Sequence, residues 1–207
     1  GKAGHALFLD CRTLDWSAVP LPQDRCRILI ANTNVKHDLA DGGGYAARRA
    51  ACFDAARTVV GNPDASLRDV VPDALEAARD RLADDVYRRA RHVLDENTRV
   101  LAGAEALRSG DIESFGAAMF ATHDSCRTLF ENSCDEVDLL VEAARDAGAL
   151  GAKLTGGGWG GSAVIVHHPD DGPRICSRLV AAYRKRFGAD PSLFPTAAAD
   201  GAEAFVP

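Results

Sequence analysis

The sequence predicts an α+β protein in which helices pack on one face of a mostly antiparallel sheet. Three observations carry that expectation. Short apolar runs with β-type composition open the chain, at Ala6–Cys11 and Arg27–Ala31, and return at Ala163–His167. Between them, from Tyr45 to Ala147, apolar residues recur at helical spacing. The segment Leu154–Val166 then places five glycines (Gly156, Gly157, Gly158, Gly160 and Gly161) directly ahead of the last apolar run.

The elements follow in order. Ala6–Cys11 and Arg27–Ala31 read as two strands joined by a link containing Val19-Pro20-Leu21-Pro22, so residues 1–35 form a hairpin-like edge. Cys52, Ala55, Ala56 and Val59 mark a helix that Gly61-Asn62-Pro63 ends. Leu75, Ala78 and Leu82 make a shorter helix behind Pro72, and an apolar face running from Val86 to Leu107 makes a long one that Ser109-Gly110 stops. Asp111 caps the next helix, whose buried face runs from Ile112 through Met119 and His123 to Phe130. A further helix spans Val137–Ala147. After the glycine run and its strand come a Pro/Asp/Gly loop, a helix carrying Ile175, Leu179, Tyr183 and Phe187, and a last strand within Pro191–Thr196.

Composition excludes several roles. The 207 residues are 46% hydrophobic, enough for a proper core, and no apolar stretch approaches membrane-spanning length. Thirty acidic residues against 24 basic ones leave a formal charge of −6, with no basic stripe to meet nucleic acid. Six cysteines include no C-x-x-C pair and no metal-ligand spacing with histidine, which fits a reduced, cytoplasmic setting. The chain opens at Gly1 and enters a strand almost at once, with Met119 its single methionine; this predicts that the functional protein extends upstream.

The glycine run needs a physical reason, because each glycine in a regular element costs roughly 0.5–1 kcal/mol relative to alanine. A turn whose amides gather around an anion and a plain structural hairpin are equally open readings. The loop matches neither G-x-x-x-x-G-K-[ST] nor G-x-G-x-x-G ahead of a helix. Asn32-Thr33-Asn34-Val35-Lys36-His37 and Asp41-Gly42-Gly43-Gly44-Tyr45 follow a strand end, where polar groups line clefts; Tyr45 offers a phenol to a hydroxyl, or packs for area alone. Arg48 and Arg49 read as face or ion-pair residues, and Arg88, Arg89, Arg91 and His92 as a solvated helix face. His123 reads as a core histidine. His167-His168 lacks further ligands, so no metal site is expected. Carboxylates beside Cys134 would raise its thiol pKa, the opposite of activation.

Several segments, in order, resemble the C-terminal half of the galactokinase family, within the superfamily of galactokinase, homoserine, mevalonate and phosphomevalonate kinases. They are Gly4–Arg12, Asn32–His37 with Tyr45, Arg48 and Arg49, Arg89–Val93, Ser133-Cys134 with Asp138, Leu154–Gly161 and Ala199–Ala202. The resemblance implies a ferredoxin-like C-terminal domain and transfer of the ATP γ-phosphoryl group, with Mg²⁺, to the anomeric hydroxyl of galactose. It implies strands at 1–35 that end an N-terminal kinase domain and a C-terminal kinase domain at 36–207. Tyr45 would contact the sugar, and the five loop glycines would shape the phosphate side of the cleft. No catalytic residue and no metal ligand would lie in this chain; the catalytic aspartate, the ATP loop and the Mg²⁺ ligands would all lie upstream, leaving these residues inactive alone.

The expected protein is a cytoplasmic monomer that binds a small sugar and ATP, without membrane or nucleic acid. Three positions depart from the family pattern: Gly44 stands where glutamate is common, Trp159 where phenylalanine is usual, and Asp135 where proline follows the Ser-Cys pair. The first adjoins the sugar-contacting position, so N-acetylgalactosamine or arabinose are alternative substrates. A non-catalytic sugar and ATP sensor on the same fold is the alternative of a different class.

Overall fold

The computed structural model describes residues 1–35 and 44–202. Strands β1 (His5–Leu9) and β2 (Trp16–Pro20) form a two-stranded antiparallel ribbon. Strands β3 (Arg27–Asn32), β4 (Gly151–Thr155), β5 (Ser162–His167) and β6 (Ser192–Thr196) form a four-stranded antiparallel sheet in the order β4-β5-β3-β6. The helices are α1 (Gly44–Val60), α2 (Pro72–Ala77), α3 (Asp84–Ser109), α4 (Ile112–Ser125), α5 (Asp135–Asp146) and α6 (Gly172–Phe187). The order β3–helices–β4–β5–α6–β6 across that sheet is the split β-α-β-β-α-β arrangement of ferredoxin-like folds. Among the described residues no helix is long and apolar enough to cross a membrane.

The expected hairpin between Ala6–Cys11 and Arg27–Ala31 does not form. The segment read as a link supplies β2, which pairs with β1 in the register Leu7↔Ala18 and Leu9↔Trp16. Asp10 makes the reversal: its carboxylate accepts the Arg12 amide, its carbonyl accepts the Leu14 amide, and Leu14 adopts a left-handed φ of 65°. Pro20 is tolerated because it ends a strand at a sheet edge. β3 pairs instead with β5 and β6, in the middle of the four-stranded sheet. β1 and β2 thus pair only with each other, and β3 belongs to the four-stranded sheet.

The long helix ends where the sequence predicts, with Gly110 left-handed at φ 76°. The helix expected to reach Phe130 keeps its α geometry only to Ser125, and residues 126–130 continue as a wider π turn. That turn closes at Glu131, left-handed at φ 57°. One face of the sheet carries Leu29, Ile165 and Leu154, packed against Leu140, Val141, Ile175, Leu179 and Tyr183 of α5 and α6. Full burial of such side chains stabilises by about 1.5–3 kcal/mol each. Helices α1, α2 and α3 share a separate core around Leu75, Ala90 and Leu94. α4 crosses β4 closely enough that a Cβ on Gly116 would lie 2.1 Å from the Leu150 carbonyl oxygen.

Candidate active-site wall

The glycine loop between β4 and β5 is not a plain tight hairpin. Gly158, Trp159, Gly160 and Gly161 all have positive φ, of 94°, 56°, 132° and 77°. Glycine reaches this region freely, but a tryptophan there is strained, at a cost on the order of 1–3 kcal/mol that its surroundings must offset. Three contacts do so. The Trp159 amide donates to the Asn132 carbonyl at 2.7 Å, the Arg48 guanidinium lies 4.9 Å from the ring centroid, and the ring edge abuts Gly44. A Cβ on Gly44 would sit 2.9 Å from Trp159 Cζ2.

Both ends of the loop are tied as well. The Thr33 amide and hydroxyl each donate to the Gly161 carbonyl at 2.9 Å, and the buried Tyr183 hydroxyl donates to the Thr33 carbonyl at 2.8 Å. At Gly158 an added Cβ would lie 2.1 Å from the Asn132 carbonyl oxygen. That close approach excludes every other residue. Among the described residues, the amides of Gly156, Gly157, Gly158, Gly160 and Gly161 donate to no protein acceptor, so five donors stay unspent on the loop.

The sequence-predicted residues fall into two groups. The first turn of α1 and the loop come together, joined through Arg48, whose Nε donates to the Phe130 carbonyl at 3.0 Å and Nη2 to the Glu131 carbonyl at 2.6 Å. Burial, reinforced by neighbouring Arg89, lowers the Arg48 pKa. Arg88 also grips this segment through the Glu131 carboxylate at 2.9 Å. Arg48 is therefore neither a free phosphate contact nor a solvated face residue. Tyr45, the second residue of α1, is 66% exposed, with its phenol unconfined by packing. Lys36, His37 and Asp41 to Gly43 lie outside the described residues.

The second group is structural. The run Arg88–His92 is not a solvated face, because His92 is buried. Its Nδ1 is 2.8 Å from Ser125 Oγ, its ring stacks on Phe130 at 4.6 Å, and burial holds its pKa down at about 4. His123 is a core histidine: the Leu154 amide donates to its Nδ1 at 3.3 Å, and Nε2 lies 3.1 Å from Asp138 Oδ1. Burial raises the Asp138 pKa, yet His123 and Ser133 together pull it below the ordinary carboxylate value. Burial, with a smaller contribution from Glu136, pushes the Cys134 thiol up to about 11. Asp200 accepts the Ala3 amide at 2.8 Å, which ties the tail to the start of the chain. Among the described residues no three His, Cys, Asp or Glu side chains converge to hold a metal ion.

Asn132 and Trp159 are the site residues that sequence reasoning missed. A bulky aromatic inside a run of glycines was the available signal. The two departures Gly44 and Trp159 prove to be neighbours: the absent side chain at 44 makes room for the larger ring at 159.

Residues 104–185 match the family model of the GHMP kinases C terminal. The chain is 40% identical over 204 residues to the galactokinase of Bos taurus and 39% identical to that of Thermotoga maritima. Each match takes in 98% of this chain but 50% and 56% of those proteins, so the chain spans about half the length of the curated relatives it matches. A Lactococcus lactis galactokinase crystallised with galactose superposes with a TM-score of 0.88 at 30% identity, covering 95% of this chain and 51% of that one. A mevalonate kinase of L. major, at 23% identity and a TM-score of 0.50, shares the fold alone. Residues 104–185 are thus similar to the C-terminal domain of GHMP kinases, and nearly all of the chain is similar to half of a galactokinase.

Proposed function

We propose that this chain is the C-terminal half of an ATP-dependent sugar kinase of the galactokinase type, which moves the γ-phosphoryl group of ATP to the anomeric hydroxyl of galactose. The observation that supports the reading is the packing of Gly44 and Arg48, at the N-terminal end of α1 and flanking Tyr45 in sequence, on Trp159 of the glycine loop. In this reading the Tyr45 phenol donates to or accepts from a sugar hydroxyl. The Gly157 and Gly158 amides face phosphate oxygens. Asn132, Trp159 and Arg48 hold that backbone in place before substrate arrives, which is how phosphoryl transfer is chiefly catalysed.

An N-terminal kinase domain, with β1 and β2 at its end, supplies the acid that handles the sugar proton, the ATP loop and the ligands of Mg²⁺. The metal's chemistry, charge neutralisation on the phosphates, belongs to that part. The reading extends to a cytoplasmic, monomeric protein; six thiols that remain unpaired suit a reducing compartment. The test is turnover by the full-length protein with galactose, N-acetylgalactosamine and arabinose. Galactose-dependent ATP consumption is expected, together with none from residues 1–207 alone. Tight sugar and ATP binding without turnover would make it a sensor, and turnover by residues 1–207 alone would contradict the division of labour.

A further inference from the structure

Asp138, in the first half of α5, gathers two side chains on a single carboxylate oxygen. Ser133 Oγ donates to Oδ1 at 2.5 Å, and His123 Nε2 lies 3.1 Å from the same atom, close enough for attraction although off the line of a straight hydrogen bond. Each of the two leads to a different part of the glycine loop. β4 is an edge strand, and the amide of buried Leu154 needs an acceptor that the sheet does not supply; His123 Nδ1 supplies it at 3.3 Å. A neutral imidazole that accepts at Nδ1 carries its proton on Nε2, towards Asp138. Leu154 is the last buried residue before the loop glycines, so this arm fixes the strand that enters the loop. On the other arm, Ser133 shares a peptide group with Asn132. The carbonyl of that peptide accepts the Trp159 amide at 2.7 Å, and Asn132 Nδ2 donates to the Gly157 carbonyl at 3.4 Å. Anchoring the Ser133 side chain therefore fixes the direction in which the acceptor of Trp159 points.

We infer that Asp138 is a positioning residue for phosphoryl transfer: from behind the glycine loop it holds both the strand that enters the loop, through His123, and the peptide that seats Trp159, through Ser133. The inference rests on the reading of the loop as the phosphate side of a sugar-kinase cleft and deepens it by naming what sets the loop's shape. Packing of α5 does not call for a carboxylate here, since Val137, Leu140 and Val141 already bury that helix at 1% exposure or less. A half-buried carboxylate is costly unless donors surround it, and in return it adds direction, which apolar packing lacks. The loop depends on direction. Trp159 sits at a φ of 56°, a strained conformation for a tryptophan, and it can relax once the carbonyl that accepts its amide is free to turn. Asp138 thus acts through Ser133 and His123 and not on substrate itself.

Fluorine NMR of the full-length protein carrying 5-fluorotryptophan tests this, with the Trp159 line assigned as the one that Trp159→Phe removes. Asp138→Ala and Ser133→Ala are expected to shift or split that line and to lower kcat/KM for ATP by about fivefold, the loss of one hydrogen-bonded anchor. Ser133→Thr keeps the hydroxyl and should restore both readouts. Leu75→Ala, which empties a fully buried site in the separate core of α1, α2 and α3, is the control for destabilisation alone and should leave the line in place. Should Asp138→Ala not fold, the Ser133 pair carries the test by itself. A Trp159 line that stays put in Ser133→Ala, that moves as much in Leu75→Ala, or that Ser133→Thr does not restore overturns the inference. Galactose turnover by the unsubstituted protein separates the two claims: no turnover with a displaced line retires the kinase reading and keeps the anchor of the loop, and turnover with an unmoved line does the reverse.

Discussion

One face of the four-stranded sheet is finished within the chain, where Leu29 and Ile165 meet Leu140, Ile175 and Leu179, all at most 1% exposed. On the other face Phe194, opposite Ile30 in the register, is 53% exposed, and a neighbouring cavity of about 410 Å³ is open. The difference teaches where stability and function divide. The α5 and α6 side is closed by this chain's own residues, and the opposite side is covered only in part, by α3, α4 and the ribbon.

Substitutions can break that contrast. Leu179→Ala empties a site with no exposure and is expected to lower the unfolding free energy of the full-length protein by about 2–5 kcal/mol in urea titration. Phe194→Ala in the same assay should cost well under half as much; equal losses would mean that both faces are cores. Gly158→Ala forces a Cβ against the Asn132 carbonyl at a φ of 94° and should cost roughly 1–3 kcal/mol, with a fall in kcat/KM of the full-length enzyme. Unchanged stability and rate would return the loop to a plain turn.

A further effect is set by pH. Burial lowers the His92 pKa from 6.5 to about 4, so the unfolded chain takes up this proton first as the medium acidifies. Stability present above pH 6.5 is thus lost as the pH falls toward 4. His92→Gln keeps a polar partner for Ser125 and should flatten the decline, which thermal melts across that window would reveal. Smallest of all, Tyr45→Phe should leave melting unchanged, since the side chain is exposed, and weaken galactose binding by about 1 kcal/mol in titration of the full-length protein.

Legibility in the sequence followed the strength of local signals. Periodicity and a terminal glycine delimit α3, and β5 stands out as a β-branched run after glycines, because in both the local preference and the tertiary role agree. β2 did not stand out: Val19-Pro20 looks like a link until its strand partner is known, and pairing is a non-local choice. The π turn that aims the Phe130 and Glu131 carbonyls at Arg48 leaves no periodic mark either. For the site, the glycines were visible, but the left-handed Trp159 and its tie to Asn132 depend on a contact between residues 27 positions apart in sequence. The Gly44 and Trp159 departures stood in the sequence as unrelated oddities, and only the packing joins them.

That contact offers the most direct measurement of the central claim, that the start of α1 and the glycine loop act as one wall. In the full-length enzyme, KM for galactose and for ATP would be determined for Gly44→Glu and for Gly44→Glu combined with Trp159→Phe. The account predicts that the first variant raises both constants, because the new side chain displaces the Trp159 ring, and that the second substitution restores most of the loss. Unchanged constants for Gly44→Glu, or a loss that Trp159→Phe does nothing to recover, would contradict it.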